Sequence, residues 1–178
     1  WARTASRSPS SRSRSNQATK PQTITVCGSF YPEKMFSCME YRKFAQGYVL
    51  RLDPGEEVVS SLTRLVEEQG VTLASVSALG AAGDVTIGIF DTKKKEYHSQ
   101  RYQGEYEISA LVGNVTRMDG APYLHLHITI GNPVTGEVHA GHLSSCTISA
   151  TLELFLQVWE GQVDRKFSGT VGLNLLEF

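Results

Sequence analysis

The sequence predicts an α+β domain, a curved and mostly antiparallel sheet with one main amphipathic helix packed on it. Three observations carry that prediction. One segment, "DPGEEVVSSLTRLVEEQG", repeats its apolar residues at helical spacing, whereas nearly everything after Gly70 alternates with period two. The stretch "GNPVTG" then separates two strand-like runs and marks a hairpin.

With 178 residues, 40% of them hydrophobic and 20% charged, the chain is sized for one globular core. No apolar run reaches the ~20 residues of a membrane-spanning helix, so no membrane partner is expected and the protein should be soluble. Cys27, Cys38 and Cys146 are odd in number and lack the close pairing of a zinc knuckle or redox motif, which points to a reducing compartment. Residues 1 to 40 carry six Lys/Arg against two acids, whereas from residue 41 on there are eleven Lys/Arg against sixteen Asp/Glu, a net of −5. A phosphate backbone would be repelled by that part, so DNA is not an expected partner of the folded domain.

The opening "WARTASRSPSSRSRSNQATKPQ" is rich in Ser and Arg and poor in large apolar residues, and residues 1–40 read as a disordered basic extension ahead of a domain at 41–178. Such an extension suits an organelle-targeting peptide or a phosphorylatable tail on a cytoplasmic or nuclear protein. The chain opens on Trp1, and Met35 and Met39 are the alternative starts.

Asp53 reads as the helix cap, with Pro54 at the first helical position and Glu56 three residues after the cap. Val58, Val59, Leu62, Leu65 and Val66 form the apolar stripe, and Gly70 is the stop. "LGAAGD" reads as a turn between strands and "DTKKKE" as a basic hairpin tip. Val85, Ile87 and Ile89 share one strand face, as do Tyr106, Ile108, Ala110 and Val112. In "ISATLELFLQVW" the residues Ile148, Ala150, Leu152, Leu154, Leu156 and Val158 fall on one parity, which predicts a strand.

Four of the five histidines lie between Tyr123 and Leu143. If Ile130 pairs with Glu137 across the turn, His142 faces His125, and His127 lies diagonal to His142 on the same side. His139 falls on the other face, His98 belongs to a separate loop, and Ala140 and Gly141 leave room above the imidazoles. Three convergent neutral imidazoles suit a divalent transition metal, zinc above all, with a fourth position open for water. Glu153 on the strand after the histidines and Arg117 on the one before are the candidates for general base and carboxylate clamp. Ser144, Ser145 and Cys146 follow His142, but a nucleophile needs a base and an oxyanion hole that their spacing does not supply.

At "GEYEISALVGNV", "HLHITI" and "GEVHAGHL" the chain resembles the PPC domain (plants and prokaryotes conserved domain, DUF296), and the likeness runs from about Gly47 to Leu176. The resemblance implies an α+β subunit, usually a homotrimer, related in fold to acetolactate decarboxylase and to a small ester hydrolase. In non-plant members the three histidines, here His125, His127 and His142, are associated with a bound metal. The implied function is a zinc-binding protein that acts as a metal-dependent hydrolase or lyase on a small carboxylate. The other function implied is a DNA-binding or transcription-associated interaction module, as in plant members that carry AT-hooks. This chain has no "RGRP" core of that kind.

Overall fold

A computed structural model describes residues 23–26 and 39–178. In chain order these form β1 (Thr23–Val26), β2 (Met39–Phe44), β3 (Gly47–Leu52), α1 (Val58–Glu68), β4 (Ala74–Asp91), β5 (Glu96–Met118), β6 (Ala121–Asn132), β7 (Glu137–Val158), β8 (Asp164–Ser168) and β9 (Leu173–Glu177). All the strand pairings are antiparallel except a single parallel bridge, Arg117 to Asp164 between β5 and β8. β4 pairs with β5 and β7, and β6 pairs with the same two strands, so the four long strands curl until the sheet closes on itself. A twisted sheet of such long strands must curl, and closure removes its central edges.

The predicted domain boundary at residue 41 moves toward the N-terminus. Thr23 to Val26 pair with Met39 to Arg42, and Met39 is fully buried. Most of the predicted disordered extension, residues 1–22 and 27–38, lies outside the described residues.

α1 is the one α-helix among the described residues, and it buries Val58, Leu62, Leu65 and Val66 against the sheet. Its start differs from the prediction. Asp53 to Glu56 close a separate turn, in which the Asp53 N–H donates to the Glu56 carboxylate at 2.7 Å. The Gly55 N–H donates to the Ile148 carbonyl at 2.9 Å and the Ile148 N–H to the Glu56 carbonyl at 3.0 Å, and these bonds to β7 hold the segment out of the helix. Glu57 caps instead, accepting from the Val59 and Ser60 N–H groups at 3.0 and 2.7 Å and from the Cys146 N–H at 3.0 Å. The helix start is thereby tied to the middle of β7.

Strict alternation fails at several register shifts. Between Ile108 and Ala110 the register of β5 against β6 shifts, so Ile108 and Leu111 are both in the core and Val112 turns outward. Ala110 and Val112 therefore do not share a face with Ile108 as predicted, because an extra residue reverses the parity. Between Thr86 and Ile87 the β4–β7 register passes from Ser145 to Leu143, which skips Ser144. Cys146, Ile148, Leu152, Leu154 and Leu156 face the core on one parity, Leu143 on the other. "LGAAGD" is not a turn but the irregular middle of β4, with shifts at Ala78/Gly80 and Ala82/Asp84. Ile148 to Val158 are strand, as the parity predicts. "DTKKKE" is the β4–β5 connection, where Asp91 accepts from the Lys93 and Lys94 N–H groups at 2.8 and 3.0 Å.

Leu152 is completely buried between β3 and β4, whereas Val134 on the β6–β7 turn is 92% exposed. Leu152→Ala is expected to lower the unfolding free energy by about 2–5 kcal/mol. Val134→Ala is expected to change it by less than about 0.5 kcal/mol, and urea unfolding of the two variants measures the contrast.

Candidate functional site

The β6–β7 hairpin is paired two residues away from the predicted register: Ile130 meets His139 and Asn132 meets Glu137. His127 therefore faces His142 directly, and His125 is the diagonal partner. A shift of two residues keeps every side chain on its face, where a shift of one would have reversed it. The ring centroids of His125 and His127 are 5.2 Å apart, those of His125 and His142 5.4 Å, and those of His127 and His142 5.8 Å. One nitrogen from each lies within 4.8 Å of the others. His139 stays out of the cluster, stacked on Tyr102 at 3.9 Å, and His98 lies 3.8 Å from Glu96 on the exposed β4–β5 hairpin.

Close strand packing supports this geometry. A Cβ on Gly141 would come within 2.7 Å of the Gly88 carbonyl oxygen, and one on Gly88 within 2.0 Å of the Tyr97 hydroxyl. Gly141 thus serves the contact between β7 and β4, and with Ala140 it also lines the space over the histidines. Tyr97 hydrogen-bonds Ser144 at 3.1 Å and meets the His142 ring edge-on at 6.0 Å.

A cavity of about 770 Å³ opens over the cluster. Its wall includes Phe90, Tyr97, Tyr123, Arg165, Leu173 and Leu176 besides the three histidines, and among the described residues no Asp or Glu lines it. Glu153 is not there: it lies eleven residues along β7 from His142, opposite Arg51 of β3 and in a different depression with Glu40 and Arg42. Arg117 is also outside the wall. It sits on the opposite parity of β5 from Asn114 and Thr116 and donates to the Gly120 carbonyl. Neither predicted helper is brought to the histidines.

The arginine in the wall is Arg165, only 8% exposed. Its Nε donates to the Thr116 hydroxyl at 2.8 Å, Nη1 to the Asn174 carbonyl at 2.9 Å and Nη2 to the Asn114 side-chain oxygen at 2.9 Å. The guanidinium lies over the Tyr123 ring, 4.6 Å from its centroid. Sequence reading missed it because "DRKF" resembles any solvated strand end, and a β8 placed beside β5 by one parallel bridge has no local signal.

Burial pushes the His125 imidazole below the ordinary histidine pKa, and the charges of Arg165, His142 and His127 push it the same way. Burial lowers His142 as well, followed by His127. Both are therefore neutral at pH 7, the form in which an imidazole can ligate a metal. Cys146 offers no nucleophile, since burial raises its thiol to about 12.

These features define an α+β domain with a histidine-lined pocket in a closed antiparallel sheet. The chain belongs to the Plants and Prokaryotes Conserved (PCC) domain family, whose model matches residues 39–160. A solved structure of a candidate DNA-binding protein from Bacteroides thetaiotaomicron is 31% identical with a TM-score of 0.76, covering 79% of this chain and 97% of that one. A metal-containing protein from Archaeoglobus fulgidus is 34% identical with a TM-score of 0.70, covering 76% of this chain and 96% of that one. The bifunctional protein GlmU of Synechococcus sp. (strain JA-2-3B'a(2-13)) is 34% identical over 111 residues, 61% of this chain but 16% of that protein's length.

In the metal-free protein, imidazole titration by NMR is expected to place the His125 and His142 midpoints below the ordinary ~6.5. Because their folded pKa values are depressed, the unfolded chain binds more protons in the window just below that value. The stability contributed above ~6.5 should therefore fall as pH drops through the folded midpoints, and thermal unfolding between pH 7 and pH 5 checks the sign.

Proposed function

We propose that this domain binds a divalent transition metal, zinc by its donor set, through His125, His127 and His142. The observation that carries the reading is the convergence of three imidazole nitrogens within 4.8 Å. None of the three rings makes a hydrogen bond to any described residue, and two are held neutral by burial. Nitrogens bound to one zinc ion at ~2.0–2.1 Å would lie about 3.3 Å apart, a closure that side-chain rotation can supply. The metal-containing Archaeoglobus relative supports the same reading.

An ion held there supplies Lewis acidity and a bound water of lowered pKa. The chain's own part is to keep His125 and His142 neutral, hold Tyr97 against His142 and line the approach with apolar side chains. A hydrolase or lyase acting on a small carboxylate is the finer proposal. Glu153 and Arg117 take no part in that proposal, since neither lies in the wall of the cavity over the histidines.

DNA binding is a second reading, favoured by the naming of the Bacteroides relative. The net of −5 from residue 41 on opposes it for the folded part. A homotrimer is also proposed, on the resemblance and on the large apolar residues Leu79, Val112 and Phe155 that the isolated subunit leaves exposed. Light scattering is expected to give three times the subunit mass, and a stable monomer would overturn it.

Calorimetric zinc titrations test the site. His125→Ala, His127→Ala and His142→Ala should each lose most of the affinity, while His139→Ala should retain it. Undiminished binding in any of the first three, or an equal loss in the fourth, defeats the assignment.

A further inference from the structure

Arg165 presents a charge balance that the three histidines do not resolve. It is buried, permanently cationic and hydrogen-bonded only to a hydroxyl, an amide oxygen and a backbone carbonyl. Among the described residues it takes part in no ion pair, and none of them brings a carboxylate to the cavity it faces. A buried charge without a counter-ion is costly and is ordinarily paired. Three of its five N–H groups are used, which leaves two for an acceptor. A divalent ion on the three histidines would add two more positive charges to the same wall.

The remaining wall is apolar. Leu176 pairs with Arg165 across β8 and β9 and so shares its side of that ribbon, while Phe90 and Leu173 line the cavity as well. Arg165 itself lies beyond the residues matched by the family model.

We propose that this cavity is a binding site for a small amphipathic carboxylate, its head group paired with Arg165 and its hydrocarbon part against Leu176, Leu173 and Phe90. The proposal deepens the metal-site reading, on which it rests for the second contact of the carboxylate, but the arginine and the apolar wall do not need the ion. The ligand fills two requirements at once: it neutralises a buried cation and it covers apolar surface. Inorganic phosphate meets the first requirement and not the second.

The test is calorimetry with sodium butanoate, sodium hexanoate and inorganic phosphate on the intact chain, both stripped of metal by a chelator and loaded with zinc. Hexanoate should bind the stripped protein more tightly than butanoate, and zinc should strengthen both. Arg165→Gln should weaken hexanoate roughly tenfold or more, the scale of a charged hydrogen bond. Because Arg165 also ties β8 to β5, Leu176→Glu is the companion variant: it changes a partly exposed residue and should weaken hexanoate to a similar degree. Should Arg165→Gln fail to fold, Leu176→Glu alone decides.

Carboxylate binding to the zinc form that neither variant weakens would place the ligand on the ion alone and overturn the proposal. So would phosphate binding as tightly as hexanoate, or no carboxylate binding to folded, zinc-loaded protein. Hexanoate binding to a protein that takes up no zinc would uphold the carboxylate site and reject the metal reading.

Discussion

A β-strand offers its side chains to two faces in strict alternation, and the site depends on two places where β5 and β7 break that rule. The extra residue at Ser109 lets Ile108 and Leu111 both reach the core, and it thereby turns Val112, Asn114 and Thr116 toward the histidine side. Asn114 and Thr116 then hold Arg165. The irregularity at Ser144 does the same for β7, so that Cys146 and Ile148 fill the core while His142 faces the cavity. Without these bulges the two strands could build a core or a site, but not both in register.

The fold was largely legible because its signals are periodic. Helix spacing from Val58 to Val66 and alternation from Leu152 to Leu156 are each enforced by burial, and both elements formed where the pattern placed them. Boundaries were less legible. Asp53, Pro54 and Glu56 have the composition of a helix start, yet backbone bonds between Gly55, Glu56 and Ile148 hold them in a turn, and a contact with so distant a part of the chain leaves no mark on the local sequence. The glycines of "LGAAGD" suggested a turn because glycine serves both turns and bulged strands; a Cβ on Gly80 would meet the Thr151 carbonyl oxygen at 2.2 Å.

The histidine cluster survived an error in the register because parity, not the pairing itself, decides which face a side chain takes. The paired residues number 269 in sum rather than 267, and every imidazole keeps its side. Glu153 and Arg117 could not be placed by the same logic. Their distance from the histidines depends on strand length and curl, and β7 runs for 22 residues, so being on the next strand says little about being nearby.

The imidazoles and the buried cation come from different parts of the chain. The first belong to a continuous hairpin within the sheet, the second to a short ribbon of β8 and β9 that follows the residues the family model matches. If the imidazoles hold an ion and the cation a ligand, the two tasks fall to separate segments, and substitutions in the last fifteen residues would alter the second while the hairpin stays as it is.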